Sequence, residues 1–448
     1  MLRWTLTICG LAVTLTAVAT ADDSTSKPVD VGAPNMIALE PAAFTLQGGR
    51  ARQQLIVTGL YSGNDLRDLT QAATFGTSNP KVARIEGSTI LPVGNGDCQI
   101  TALLNGITAT VNCSVKQIDV PSPVSFKNET QMALTKSGCN MGACHGSPSG
   151  KGGFRLSLRA YDPVLDIMTL RSEFFGRRIN IMEPSESLLL KKPLMDVAHG
   201  GGKRIRKGDP NHRVLEQWIA EGLQLDAPTS ANLLKIETLP AGRVLRFPAD
   251  RQQIVVMGHF SDGSARDLTP LTDFSSSSES IGSVSVNGLV TKHGRGETAV
   301  LARYLDKMAT CQITFLEDVP GFAWNNPPEY NFVDTRVFEK LKTLQIAPSD
   351  LCTDDEFLRR AYLDTTGRLP TIAEAQAFHQ DISPSKRQVL VDALLDTNDF
   401  ASYWSLKWSD LLRSNSKKLQ AAGVHKFRRW VFENVRDDRP MDQFARDL

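Results

Sequence analysis

The chain has 448 residues, 41% of them hydrophobic and 22% charged, with 33 Gly and 23 Pro. These values exclude a disordered, collagen-like or multi-spanning membrane chain and suit about three soluble domains. Since 50 Lys and Arg balance 49 Asp and Glu, bulk charge makes no case for nucleic acid or an anionic membrane as the main partner. Met1-Leu-Arg-Trp4 is a short positive start, Thr5 to Val18 an uncharged apolar run, and Ala19-Thr-Ala21 before Asp22-Asp23 a small-residue cleavage site. That order predicts a secretory signal over 1–21, because the run falls short of the ~20 residues of a membrane span. Ile8 before Cys9 is too bulky for a lipoprotein signal, and no later stretch reads as a membrane span. The mature chain is expected in the periplasm or at the cell surface, with its six remaining cysteines in a compartment that permits disulfides.

A repeat comes next. Gly59-Leu-Tyr-Ser-Gly-Asn-Asp-Leu-Arg-Asp-Leu-Thr70 recurs as Gly258-His-Phe-Ser-Asp-Gly-Ser-Ala-Arg-Asp-Leu-Thr269, and Phe75 and Gly96 are answered by Phe274 and Gly296. Two copies of one domain follow, over 36–117 and 236–316. Short alternating runs such as Gln53-Gln-Leu-Ile-Val-Thr58, broken by Gly, Asn, Asp and Pro, predict β-sandwiches. The shared turn, the Arg-Asp-Leu-Thr run and the Ser78-Asn-Pro-Lys-Val-Ala83 segment resemble bacterial immunoglobulin-like group 2 domains, which implies a fold and no particular ligand. In the first copy Asn105-Gly106 is a strong signal for a two-residue hairpin loop, and such a loop places Cys98 opposite Cys113. The second copy has Thr298 and Ile313 there. Both cysteines are thus absent together, as a bridged pair would be; two buried thiols are the alternative.

Between the copies, residues 121–230 change to a helical pattern. Asn128 to Ser137 predicts a helix ending at Gly138, followed by Cys139-Asn-Met-Gly-Ala-Cys144-His145-Gly146. This is two residues longer than the CxxCH of c-type haem attachment. The chemistry of that motif is covalent: two thiols add to the haem vinyl groups, and the adjacent imidazole meets the iron. The longer spacer keeps Cys144 next to His145, the adjacency that fixes the proximal ligand. A plain Cys139–Cys144 disulfide is the competing reading, while zinc lacks a fourth ligand at familiar spacing. A phosphate loop at Gly146 to Gly153 fails, since His145 stands where a Gly is needed and Gly152 where Ser or Thr is needed. Asp209-Pro210, then Val214, Leu215, Trp218 and Ile219, then Gly222, predicts a capped helix with one apolar face. Distal iron ligands are sought among Met182, Met195, His199 and His212. His199 is preferred, because its Gly-rich flank lets the backbone approach a flat cofactor, with Met195 as the alternative.

The runs Lys136 to Gly146, Gly152-Gly-Phe-Arg-Leu-Ser-Leu-Arg-Ala-Tyr-Asp-Pro163, Gly176-Arg-Arg-Ile-Asn180, Pro184-Ser-Glu-Ser-Leu-Leu-Leu190 and His199-Gly-Gly-Gly202 resemble large planctomycete surface proteins. Those combine a cytochrome-c-like segment, bacterial immunoglobulin-like domains and long domains of unknown function. The resemblance implies a covalent haem c with Cys139, Cys144 and His145 in the attachment positions, and no established reaction. The many Lys and Arg between 151 and 207 form either a solvated basic face or a rim that steers an acidic redox partner.

From Tyr330 onward the pattern is amphipathic. Thr353 with Glu356 makes a capping box, and Gly367-Arg-Leu-Pro-Thr371 separates two helices. The run Glu356 to Thr371 resembles the unknown-function domain of the same planctomycete proteins, and the sequence stops inside that pattern, so an incomplete domain over 330–448 is expected. Asp364, Asp410 and Asp437 lack the pairing that glycoside hydrolysis needs, and Cys311 and Cys352 are a second bridge or free. The expected architecture is multidomain: two all-β immunoglobulin-like sandwiches, a mainly α cytochrome-c-like domain inserted between them, and a C-terminal all-α region. The expected role is one-electron transfer to an unknown redox partner. The rivals are adhesion to glycan or cell wall through the sandwiches, with structural disulfides, or a polysaccharide-acting enzyme whose active part is incomplete here.

Overall fold

The computed structural model describes residues 30–448; the signal-like stretch at 1–21 lies outside them. The first sandwich has strands β1 (Met36–Glu40), β2 (Ala43–Gln47), β3 (Gln53–Gln54), β4 (Ile56–Leu60), β5 (Leu66–Asp68), β6 (Thr74–Thr77), β7 (Ala83–Glu86), β8 (Thr89–Pro92), β9 (Gly96–Leu104) and β10 (Ile107–Lys116). The second repeats the series as β11 (Leu233–Leu239), β12 (Gly242–Arg246), β13 (Arg251–Gln253), β14 (Val255–Phe260), β15 (Ala265–Asp267), β16 (Asp273–Ser276), β17 (Gly282–Val284), β18 (Leu289–Lys292), β19 (Gly296–Tyr304) and β20 (Lys307–Leu316). Sheet order is the same in both: β1-β4-β5, β2-β10-β9-β6 and β3-β8-β7 in one, β11-β14-β15, β12-β20-β19-β16 and β13-β18-β17 in the other. Asn105 and Gly106 both take positive φ, the backbone of a hairpin turn that follows the strand twist. The register that results sets Cys98 opposite Cys113.

Where the two copies meet, the repeat is used against itself. Asp267 accepts from the Gln54 backbone N–H at 2.7 Å and from its own Thr269 N–H at 2.9 Å. Asp68 likewise accepts from the Gln253 and Thr70 N–H groups. Both carboxyls are buried, and burial, the largest influence, pushes each above the ordinary carboxylate range against the pull of these hydrogen bonds. Ile56, Val255 and Met257 form a small shared core beside them, and Arg243 holds both Glu40 oxygens at 2.8 and 3.0 Å.

The intervening residues are helical. Phe126–Thr130 forms a single π-helical turn that runs into α1 (Gln131–Lys136), and α2 (Pro163–Arg171), α3 (Leu188–Leu194) and α4 (Pro210–Ala220) follow. Gly138, at φ +76°, ends the first helix, and the Asp209 side chain caps α4 by accepting from His212 N–H. This segment shares its core with the second sandwich. Met132, Leu134, Leu215, Trp218 and Ile219 belong to one cluster with Val256, Phe260, Leu268 and Tyr304 of the second sandwich. The Tyr304 hydroxyl donates to Asn128 O, and Arg50 of the first sandwich grips Glu129 at 2.6 and 2.9 Å.

Lys136 fastens the end of α1 to the second sandwich, donating to Pro270 O and Val286 O at 2.7 Å each. Burial, opposed by the charge of Asp273, lowers this ammonium from an ordinary 10.5 to about 8. Between these values the unfolded chain binds the extra proton, so stability is full above the unfolded pKa and is lost as pH falls toward the folded one. In urea unfolding from about pH 8 to pH 10, the native chain should gain on Lys136→Met by up to about 1.4 kcal/mol per pH unit. Identical slopes for the two proteins would contradict this.

The chain divides into two compact units: one runs up to Phe322 and takes in Thr343–Gln345, and the other comprises Ala323–Lys342 and Ile346–Leu448. The second unit is all helical: α5 (Phe332–Thr343, its last residue counted with the first unit), α6 (Asp354–Thr366), α7 (Ile372–Gln380), α8 (Lys386–Leu395), α9 (Asn398–Leu411), α10 (Ser416–Arg436) and α11 (Met441–Asp447). Thr353–Glu356 and Thr371–Glu374 are capping boxes, and Gly367 ends α6 in the left-handed conformation. Its core is Leu358, Tyr362, Phe378 and Leu394, with a second aromatic group of Trp408, Trp430 and Phe444. Among the described residues no helix is long and apolar enough to cross a membrane.

Candidate functional site

The Cys139–His145 loop leaves α1 through Gly138 and folds back on itself. Cys139 N–H donates to Leu134 O, His145 N–H to Cys139 O at 3.0 Å, and Cys144 and Gly146 N–H both to Met141 O. The two extra spacer residues are absorbed in these closures. Glycine after the histidine is required, since a Cβ on Gly146 would lie 2.1 Å from Asn140 O. Burial, reinforced by the neighbouring Cys144, pushes the Cys139 thiol up to about 12, so it is held as thiol rather than thiolate.

The loop presents His145 to His199. The ring centres are 6.3 Å apart and the planes 15° apart. His145 Nδ1 lies 3.0 Å from Phe154 O, and His199 Nδ1 lies 2.8 Å from Gly202 O. A carbonyl only accepts, so both Nδ1 atoms carry the proton and, in the neutral rings, both Nε2 atoms keep a lone pair. Burial, with the charge of His199 acting in the same sense, lowers the His145 pKa and favours the neutral ring. Backbone carbonyls that hold Nδ1–H in this way are what metal-binding histidines use, so His145 and His199 are the residues that would hold an iron through their Nε2 atoms.

The surroundings also suit a flat apolar group. Leu158, beside Gly142, and Phe174, beside Gly153, are more than half exposed at the mouth of the loop. Arg178 stacks on Phe154 and Phe174 at 4.6 and 5.2 Å and donates to Gly153 O at 2.7 Å, bracing the carbonyl-bearing turn that orients His145. The facing imidazoles, His145 and His199, are what the segment offers a haem iron, while Cys139 packs against the buried core. Among the described residues no group of three or more His, Cys, Asp or Glu is arranged to hold a metal ion; a porphyrin iron asks the protein for two.

Of the other residues singled out, Met195 caps α3 in the left-handed conformation with its side chain 46% exposed, and the ring facing His145 is that of His199. His212 is buried on α4 with Nδ1 3.5 Å from Glu216, and Met182 is exposed. Cys98 and Cys113 are buried side by side, the Cys113 thiol pushed up to about 12 by burial and by Cys98. Phe154, Gly202 and Arg178 had no distinguishing signal in sequence, because two act through backbone carbonyls and the third through a neighbour.

A family model described as PSCyt2, protein of unknown function (DUF1549), matches residues 332–448, within the helical C-terminal part. No curated protein matches the chain. Solved structures similar to it include domains 5-6 of the S-layer protein SbsC, at 9% identity and TM-score 0.27, covering 64% of this chain and 99% of that one. Of SbsC domains 4-9 the match spans 32%, at 10% identity and TM-score 0.25, over 64% of this chain. The Yersinia pseudotuberculosis adhesin InvE matches at 10% identity and TM-score 0.13, over 63% of this chain and 58% of that one. Likeness at this level carries no statement about role.

Proposed function

We propose that the chain is an exported periplasmic or cell-surface protein whose segment between the sandwiches carries a covalent haem c and takes part in one-electron transfer with a separate redox partner. Thioether links at Cys139 and Cys144 would hold the group, with His145 proximal and His199 distal. The observation that supports this most is the imidazole pair, parallel and 6.3 Å apart, with each Nδ1 committed to a carbonyl. When bound, the haem would supply the one-electron couple, and the chain's part is to fix both rings through their Nδ1 atoms, favour the neutral form of His145 and flank the site with Phe154, Phe174 and Leu158. Met195 is then not a ligand.

The test is expression with a haem-attachment system. The secreted chain should gain the mass of one haem and a visible spectrum; His199→Ala should alter the reduced spectrum, Met195→Ala should not, and Cys144→Ser should lose one thioether. A mass equal to the processed amino acids alone sinks the reading. The same masses, before and after reduction, show whether Cys98 and Cys113 are bridged.

A second reading is adhesion, with the sandwiches contacting glycan or cell-wall polymer and the cysteines structural. The reciprocal fastening of the two sandwiches supports it, since it turns two modules into one stiff body of the kind an adhesive surface uses. A colourless protein with a Cys139–Cys144 disulfide would decide for it.

A further inference from the structure

A cleft of about 710 Å³ opens in the helical segment, lined by Arg171, Phe175, Arg177, Asn180, Ser187 and Gly222 among others. It shares no lining residue with the Cys139–His145 loop or His199. Its volume lies in the range of small-ligand sites, roughly 300–1,000 Å³, but its walls are polar and cationic.

We infer that this cleft binds a carboxylated sugar, the repeating unit of an acidic polysaccharide. Three observations converge. Neither Arg171 nor Arg177 makes an ion pair among the described residues, whereas the carboxylate in the wall, Glu186, is neutralised by Lys191 at 2.5 Å. Two exposed arginines without an ion-pair partner among the described residues therefore border the cleft, and guanidinium groups take a carboxylate in paired hydrogen bonds. Asn180, whose Oδ1 accepts from Glu183 N–H at 3.0 Å, borders the same space.

The second observation is the backbone. Phe174, Phe175 and Gly176 take φ of +50°, +55° and +67° in succession, a left-handed run that costs free energy at two bulky residues and persists only where neighbours enforce it. Arg178 does so, stacking on Phe174 and donating to Gly153 O and Thr169 O. The effect is to leave Phe175 fully exposed on the cleft wall, beside a Phe174 that is itself more than half exposed. The third is what such a ring offers: a flat apolar platform for the C–H face of a pyranose, set beside the cations that read its carboxylate. Peptide carboxylates would use the cations without the ring.

The inference does not rest on the haem reading. The test is calorimetry of the whole chain with a galacturonate oligosaccharide, free galacturonate, a neutral galactose oligosaccharide and an oligoglutamate peptide. The galacturonate oligosaccharide should bind, more weakly as salt rises, and Arg177→Gln and Arg171→Gln should each lower affinity about tenfold. Phe175→Ala should weaken the oligosaccharide and leave oligoglutamate unchanged. Competition by free galacturonate as strong as by the oligomer would identify a sugar acid as the source; weaker competition would identify a polymer. Equal binding of acidic and neutral oligosaccharides, oligoglutamate binding equal to the sugar with Phe175→Ala silent, or no binding of the galacturonate oligosaccharide would each overturn the inference, and none of them touches the haem proposal.

Discussion

Trp218→Ala should destabilise the sandwich-containing unit by about 3–5 kcal/mol, the cost of emptying a large buried aromatic site. Trp218 is fully buried on α4, its ring 5.2 Å from that of Phe126, and its Nε1–H donates to Gln224 O at 2.9 Å. Phe126 opens the turn whose Asn128 carbonyl receives the Tyr304 hydroxyl, so the void would sit at the joint between segment and sheet. Guanidinium unfolding, with hydrogen exchange to locate the loss, should show weakened protection in α1 and in β19 together. Trp218→Phe, which keeps most of the volume, should lose less than half as much. A loss under about 1 kcal/mol for the alanine variant would show that the site collapses without cost and that the core assignment is mistaken.

The second large effect lies at the reciprocal carboxylates. Asp267→Ala would strand the Gln54 and Thr269 N–H groups, and Asp68→Ala those of Gln253 and Thr70. An unsatisfied buried donor costs about 1–3 kcal/mol, so each variant should lose roughly 2–5 kcal/mol. The double variant should lose less than the sum, with a coupling of about 0.5–3 kcal/mol, because either change alone loosens the shared interface. Strict additivity would mean that the two copies do not depend on one another. The pH response has a definite sign. Both carboxyls are raised in the fold, so the unfolded chain gives up these protons first. Their contribution is full below the ordinary Asp pKa of about 3.9 and is lost as pH rises through the folded values. On acidification the native chain should therefore gain relative to the Asp68→Asn, Asp267→Asn double variant.

Much of the local architecture was legible because it rests on short-range chemistry. Asn105-Gly106 dictates its hairpin, Asp209-Pro210 starts α4, Gly138 ends α1, and Thr353 with Glu356 opens α6. The twelve-residue repeat at Gly59 and Gly258 announced two sandwiches. What the repeat could not tell is that its own Asp crosses to the other copy: Asp68 and Asp267 stand only as members of the shared Arg-Asp-Leu-Thr run, since pairing between copies is a tertiary fact with no local pattern. The core that residues 121–230 share with the second sandwich was hidden for a related reason. Met132 and Leu215 show helical spacing, but nothing in that spacing says whether the facing surface is another helix or the second sandwich's sheet. At the site, the Gly-rich flank singled out His199, and the fold sets its ring 6.3 Å from that of His145 across more than fifty intervening residues. The carbonyls of Phe154 and Gly202 gave no warning, because every residue carries one. Phe174 and Phe175 oppose their own propensity, and a left-handed pair of aromatics is the kind of local contradiction that sequence rules average away.

The shared core of the helical segment and the second sandwich has a practical corollary for anyone cutting this gene into pieces. Tyr304 lies more than a hundred and fifty residues downstream of the Cys139–His145 loop and donates to Asn128 O just ahead of it. A ribosome thus releases Cys139, Cys144 and His145 long before their platform exists, and any enzyme that modifies these side chains meets an unsupported ribbon rather than a finished pocket. Expression fragments ending before Leu316 would leave that ribbon permanently without its backing.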